Sequence, residues 1–140
     1  MLIEDNKTNV RRLFEAASTG KMNVLDELII PNFVIHGNVY FPFVRGRETL
    51  KNAIIAFRTA FPDATFTVEQ IFAEGDKVMS HVMVRATHQG EWMGAAPTGK
   101  VITGTASSII RSTNGKIVEI WVIGDELGSM QQLGLAAALG

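Results

Sequence analysis

The spacing of apolar residues changes midway along this chain, close to Phe61-Pro62, and this change limits the possible folds more than any other feature. Before it, apolar residues recur every three or four positions, as on one face of a helix. From Thr65 onward they alternate with polar residues, as in strands that bury one face. Helices followed by an antiparallel meander are typical of the α+β class, in which helices pack on one face of a curved sheet. We therefore predict an α+β fold.

Turn and cap residues divide both halves into elements. The first half predicts three helices and one extended piece: a helix ending before Gly20, a short helix from about Asn23 that Pro31 ends, an extended piece at 33–36, and a helix from about Leu50 to Phe61. The second half predicts four strands and a helix: 65–72, 78–89, 101–111, 117–125 and 126–133. Asn114-Gly115 predicts the hairpin turn between the last two strands, and residues 90–99 predict a loop.

Composition excludes several classes of protein. With 140 residues, 46% hydrophobic and 19% charged, the chain can bury one core, so we predict one domain over residues 1–140. A formal net charge of -1 gives no electrostatic reason to bind nucleic acid or an anionic membrane. The absence of Cys excludes a disulfide scaffold and thiol catalysis. No apolar run approaches the roughly 18 residues of a membrane span, and the polar N-terminus is unlike a secretory signal, so we predict a cytoplasmic protein.

Two apparent ligand motifs are weak. Residues 94–100 match the spacing of a phosphate-binding loop up to Lys100, but Val101 stands where that loop needs Ser or Thr, so a turn between strands is the better interpretation. His81 and His88 are seven residues apart on one predicted strand and should point to opposite faces. Neither pairs with His36 at a spacing typical of metal ligands. We predict neither a metal site nor a cofactor.

Asp125 is the acid that we expect to carry chemistry. Pairing across the Asn114-Gly115 turn predicts that Trp121 and Asp125 share a face with Gly104 and Ser108. Small residues beside a Trp and a carboxylate predict a ligand pocket with an apolar wall. A desolvated Asp would have a raised pKa there and could transfer protons at neutral pH. The alternative is that Asp125 only caps the terminal helix.

Other residues of the sequence are further candidates for the site. His36 ends a buried extended piece and is either a site residue or a core histidine. His88, next to Gly90, could reach the pocket mouth or lie in solvent. Trp92 and Met93 are large apolar residues in the Gly-flanked 90–99 loop, and such side chains need a ligand, a lid or a partner to cover them. The predicted substrate-binding residues are Trp121, Phe14, Phe33, Tyr40, Phe57, Trp92, Met93 and Ser108.

Several runs of this sequence resemble the SnoaL-like polyketide cyclases. They are 86–88 with 90–100, 115–121, 125–128 and 132–134, together with 33–36 and 61–63. The resemblance implies a nuclear transport factor 2-like fold, also described as a cystatin-like α+β barrel: a cone of helices against a strongly curved antiparallel sheet around an internal pocket, usually in an oligomer.

The resemblance also implies a reaction and its residues. Members of this family close the last ring of aromatic polyketides by an intramolecular aldol reaction that uses neither cofactor nor metal. An acid matching Asp125 takes a proton from a carbon beside a carbonyl and later protonates the new alkoxide. His36 and His88 match common family positions and are candidate hydrogen-bond donors to a carbonyl or hydroxyl.

Two hypotheses of different classes follow. The first is an acid/base enzyme of the cyclase or isomerase type, acting on a hydrophobic carbonyl compound with Asp125, His36 and His88 as the candidate catalytic residues. The second is a noncatalytic small-molecule binding module with the same pocket. A dehydratase or epoxide hydrolase is a third and weaker hypothesis. Because both faces of the strands carry apolar residues, we also predict a homodimer, or a higher homo-oligomer, that pairs one sheet face.

Overall fold

A computed structural model of the chain describes residues 3–37 and 43–137 and confirms the α+β class. The helices are α1 (Ile3–Thr19), α2 (Val24–Leu28), α3 (Arg47–Ala60) and α4 (Glu126–Leu133). The strands are β1 (Ile29–His36), β2 (Phe43–Arg45), β3 (Thr65–Glu74), β4 (Lys77–Thr87), β5 (Val101–Thr113) and β6 (Lys116–Gly124). Within these residues, no helix is long and apolar enough to cross a membrane.

The strands form one sheet in the order β2-β1-β6-β5-β4-β3. Strands β3 to β6 are the predicted antiparallel meander. The sheet is nevertheless mixed, because β1 pairs parallel to β6 and the short β2 extends the edge antiparallel to β1. Strand β1 also begins at Ile29, earlier than predicted, and its register to β6 is irregular between Ile29 and Val34. Pro31 lies in that interval and has no N–H to donate to the ladder.

The first hydrophobic core lies between helices α1 and α2 and one face of the sheet. Its buried members come from three helices and four strands: Val10, Leu13, Ala16, Leu25, Leu28, Ile29, Phe33, Ile35, Leu50, Val78, Ile110, Ile117 and Ile120. A second, smaller core lies at the end of α3, against β4, β5 and α4, and consists of Ala60, Phe61, Ala64, Ala86, Ile102 and Leu133. The two cores hold the helices over one face of the sheet.

The β5–β6 hairpin contains a bulge that its sequence does not reveal. Ser112 pairs with Ile117, as expected for a two-residue turn, but Arg111 pairs with Glu119, so Val118 is an extra residue in β6. Because side chains alternate across a strand, one extra residue exchanges the two faces beyond it.

This bulge makes the predicted facing of Trp121 wrong. Ile120 and Val122 face the helices, and Trp121 and Ile123 lie on the outer face of the sheet. Their exposed fractions are 36% for Trp121 and 78% for Ile123. Trp121 is therefore separated by the sheet from the side that Ser108 and the helices enclose.

Candidate active site

A cavity of about 220 Å³ lies between the helices and the inner face of the sheet. Most of its wall is apolar, and its side chains come from α1, α3 and five strands: Leu13, Phe14, Ala17, Ile35, Leu50, Ile54, Phe57, Phe66, Val82, Val84, Ile102, Ala106, Ile110, Ile120 and Val122. The polar residues in the wall are Thr105, Ser108, Asp125, Glu126 and Ser129. Of the predicted substrate-binding residues, Phe14, Phe57 and Ser108 line this cavity.

Asp125 lies where β6 ends and α4 begins, and it both lines the cavity and caps the helix. Its Oδ1 accepts a hydrogen bond of 2.9 Å from the Gly128 N–H, and its own N–H donates to the Thr105 carbonyl at 3.3 Å. The side chain is exposed, which places it at the cavity mouth. The two interpretations of Asp125 therefore coexist, but the expected desolvation is absent.

Gly128 allows the Asp125 carboxylate to lie against the helix. A Cβ at position 128 would lie 2.2 Å from Oδ2 and 2.7 Å from Oδ1 of Asp125. Such distances are well inside van der Waals contact, so a larger residue would push the carboxylate away. The glycine thus fixes the position of the acid as well as donating to it.

Glu126 is a second acid in the cavity wall, and the sequence interpretation missed it. Its Oε1 is buried and has no hydrogen-bond partner in the described part of the chain. The predicted helix at 126–133 already placed Glu126 in the turn that follows Asp125, which was the available signal.

A pair of buried hydroxyls, Ser80 and Ser108, lies deeper on the same face. Ser80 and Ser108 are cross-strand partners on β4 and β5, with their Oγ atoms 2.7 Å apart. The prediction named Ser108 but not Ser80, because the pairing of β4 with β5 across a ten-residue loop is not fixed by a short turn.

His88 is neither at the cavity mouth nor in solvent, so both alternatives for it were wrong. It is completely buried, outside the cavity wall, and its ring stacks on Phe61 at 5.3 Å. Its Nδ1 accepts the Thr98 N–H at 3.2 Å and lies 3.0 Å from the Thr98 hydroxyl. The geometry indicates a histidine that holds the 90–99 loop closed.

The two large loop residues also lie outside the cavity wall. Trp92 packs edge-on against Phe57 at 5.3 Å and Phe61 at 5.7 Å, and thereby covers the second core. Met93 is 55% exposed. The aromatic cluster therefore supplies the cover that the sequence required for Trp92.

His36 lies on the outer face of the sheet with Trp121, where the two rings stack at 5.2 Å. Its Nε2 is 2.6 Å from Glu119 Oε2, and Arg111 Nη2 is 3.1 Å from the other Glu119 oxygen. Hydrogen bonds from His36 first and then from Arg111 hold the pKa of Glu119 below its usual range. The prediction that His36 belongs to the Asp125 pocket is wrong, because alternation along β1 turns Ile35 inward and His36 outward.

Two further predictions have simple outcomes. Phe33 is completely buried in the first core and does not line the cavity. Tyr40 lies outside the described residues.

His81, on β4, has its Nδ1 2.9 Å from the Ser107 hydroxyl. In residues 3–37 and 43–137, no group of three His, Cys, Asp or Glu side chains could hold a metal ion.

Comparison with known proteins agrees with the fold and identifies the family. The sequence model of the SnoaL-like polyketide cyclase family matches residues 7–133. Aklanonic acid methyl ester cyclase AcmA from Streptomyces galilaeus is 30% identical over 131 residues, which cover 89% of this chain and 88% of that protein. Aklanonic acid methyl ester cyclase DauD from Streptomyces sp. (strain C5) is 31% identical over 127 residues, which cover 89% of this chain and 79% of the DauD chain.

Solved structures agree as well. The crystal structure of IdmH from Streptomyces antibioticus is similar with a TM-score of 0.83 and 34% identity, over 92% of this chain and 98% of the IdmH chain. A Catenulispora acidiphila protein with a ketosteroid isomerase-like fold has a TM-score of 0.79 at 14% identity, over 94% and 96% of the two chains, and so bears on the fold alone. The predicted fold is confirmed, and the chain belongs to the SnoaL-like polyketide cyclase family.

Proposed function

We propose that this chain closes a ring in a hydrophobic carbonyl compound by an intramolecular aldol reaction, with Asp125 as the general acid and base. The observation that carries the proposal is a fixed carboxylate at the mouth of an apolar cavity. Relatives named for aklanonic acid methyl ester make that ester the first substrate to test. We also propose that the chain is one cytoplasmic domain over residues 1–140.

The reaction needs little beyond these groups. The Asp125 carboxylate takes a proton from a carbon beside a carbonyl, and the resulting enolate carbon forms a bond to a second carbonyl carbon of the same molecule. The oxygen of that second carbonyl becomes an alkoxide, which takes the proton back from Asp125. The product is an isomer of the substrate, so neither an oxidant nor a reductant is consumed.

The contacts of Asp125 suit this role. The Gly128 N–H holds Oδ1, while Oδ2 has no hydrogen bond within the described residues and can take the proton. Asp125 is exposed, and a ligand seated over the apolar wall would exclude water from its carboxylate, which makes proton transfer at carbon easier.

Conversion of aklanonic acid methyl ester by the purified chain tests the proposal. We expect chromatography with mass detection to show a new compound of the same mass, formed without any added cofactor. Exposure and helix capping of Asp125 favour the rival function, a noncatalytic binding module. Binding of the ester without any isomerisation would support that rival and contradict the cyclase.

We further propose that the outer face of the sheet pairs with a second copy of the chain. Large apolar side chains are exposed there on the neighbouring strands β5 and β6 and on the edge strand β3: Ile109, Trp121, Ile123 and Phe72. Among the charged groups of this face, Glu119 is paired with both His36 and Arg111. Burial of such a face is typical of homodimer interfaces.

Sedimentation velocity measures this association directly. Ile123→Asp places a charge in the face and should convert a dimer to a monomer. Ile55→Asp is the matched control, because Ile55 is also exposed but lies on α3. A monomeric wild-type chain, or an Ile123→Asp variant that remains a dimer, would contradict the pairing of this face.

A further inference from the structure

A pair of hydroxyls on the inner face of the sheet, Ser80 and Ser108, is not used by the aldol step described above. Ser80 is completely buried and Ser108 is 6% exposed. The neighbouring positions on the same face of their strands are apolar: Val78 and Val82 on β4, Ala106 and Ile110 on β5. The pair is therefore an isolated polar group in an apolar surface, and Ser108 is the member that lines the cavity.

The number of hydroxyl protons determines what the pair can do. Two serines carry two O–H donors, and the 2.7 Å contact between their Oγ atoms uses one of them. Neither hydroxyl has another hydrogen bond within the described residues. If Ser108 donated to Ser80, the Ser80 proton would be left buried without an acceptor, which is costly. The favoured arrangement has Ser80 donating to Ser108, which directs the Ser108 proton into the cavity.

We propose that the Ser108 hydroxyl recognises an oxygen of the ligand, and that Ser80 is the positioning residue that orients it. The acceptor class is a carbonyl oxygen or the enolate or alkoxide derived from it. A donor already held in position in an apolar wall stabilises such an oxygen more than a freely rotating hydroxyl in water would.

The distance between Ser108 and Asp125 sets the size of the ligand. The Asp125 N–H bonds to the Thr105 carbonyl, and Thr105 is three residues before Ser108 on β5. At about 3.4 Å per residue, the hydroxyl lies roughly 10 Å along the strand from the acid. A fused-ring ketone can place one oxygen at Ser108 and a reacting carbon at Asp125. This last step depends on the proposed function, whereas oxygen recognition by Ser108 does not.

Paired probes test the recognition without any turnover. The dissociation constants of 1-tetralone and tetralin, measured by calorimetry, compare one two-ring frame with and without a carbonyl oxygen. Relative to wild type, Ser108→Ala should lose about fivefold to tenfold of the preference for the ketone, the amount expected for one hydrogen bond. Ser108→Thr, which keeps the hydroxyl, should retain it, and Ser80→Ala should lose a smaller factor.

Ser107→Ala is the matched control, because the Ser107 hydroxyl bonds to His81 on the outer face. Its ketone preference should equal that of wild type. Since Ser108→Ala leaves Ser80 without its partner, the double variant Ser80→Ala with Ser108→Ala removes both groups and should show the same loss of preference in a folded protein.

The outcomes separate this inference from the proposed reaction. Asp125→Asn should keep the full ketone preference even if every trace of cyclisation disappears. A Ser108→Ala variant that is folded and has an unchanged ratio of the two constants would overturn the role of Ser108. A wild-type protein that binds neither probe would overturn it as well.

Discussion

Gly128→Ala tests how the carboxylate of Asp125 is held at the start of α4. The added Cβ would lie 2.2 Å from Oδ2, 2.6 Å from Cγ and 2.7 Å from Oδ1 of Asp125, all much closer than a normal contact of about 3.5 Å. The Asp125 side chain must therefore rotate away and lose its hydrogen bond to the N–H of residue 128.

The free-energy change can be divided into two opposing parts. Alanine in place of glycine within a helix stabilises the fold by up to about 1 kcal/mol. Loss of an N-cap hydrogen bond destabilises it by about 1 kcal/mol, so Gly128→Ala alone should leave the free energy of unfolding nearly unchanged. In an Asp125→Ala background there is no carboxylate to displace, and the same substitution should stabilise the protein by the full 1 kcal/mol, approximately.

Urea unfolding of the wild type, both single variants and the double variant gives the coupling energy, for which we expect about 1 kcal/mol. Cyclisation by Gly128→Ala should also fall, because the acid has moved while the fold remains. If the two substitutions are additive within about 0.5 kcal/mol, the close approach of Asp125 to Gly128 is refuted.

Two further predictions concern stability. Gly90→Ala should lower the free energy of unfolding by about 1–3 kcal/mol, because its Cβ would lie 2.5 Å from the backbone oxygen of Thr59. Gly104→Ala is the control and should cost much less, because its nearest contact is at 3.8 Å. Equal losses of stability in urea unfolding would argue against the packing of the 90–99 loop on α3. Glu119→Gln should lower stability at pH 7, and this deficit should shrink as the pH falls below 4.5. The reason is that the folded-state pKa of Glu119 lies below its ordinary value of 4.5, so its contribution is present above that value and is lost as the carboxylate is protonated. A deficit independent of pH, measured by unfolding at several pH values, would contradict the Glu119–His36 pairing.

The period of apolar residues was enough to predict the helices and the meander, and the Asn114-Gly115 pair was enough to predict the turn between β5 and β6. The bulge at Val118 was not predictable, because a bulge needs no special residue type in the strand. It reversed the facing of Trp121, yet Asp125 still reaches the cavity. The reason differs from the predicted one: β6 ends at Gly124, and the chain turns into α4 with Asp125 as its cap.

The two histidines show a second limit of the sequence. His36 faces outward because side chains alternate along β1 and Ile35 faces inward. Which face of β1 is the inner one depends on its pairing with β6, a long-range pairing without a local turn signal. His88 is buried because the following loop folds back on α3, where the N–H groups of Gln89 and Gly90 both donate to the Ala60 carbonyl. Neither packing follows from spacing along the chain, and Ser80 was missed for the same reason.

The rate of cyclisation by Asp125→Asn tests the central claim most directly. Asparagine can still accept the Gly128 N–H and cap α4, so the fold and the binding of 1-tetralone should persist. It cannot take a proton from carbon, and we expect the turnover number for aklanonic acid methyl ester to fall by at least about 100-fold. A variant that cyclises the ester within about twofold of the wild-type rate would contradict Asp125 as the general acid and base.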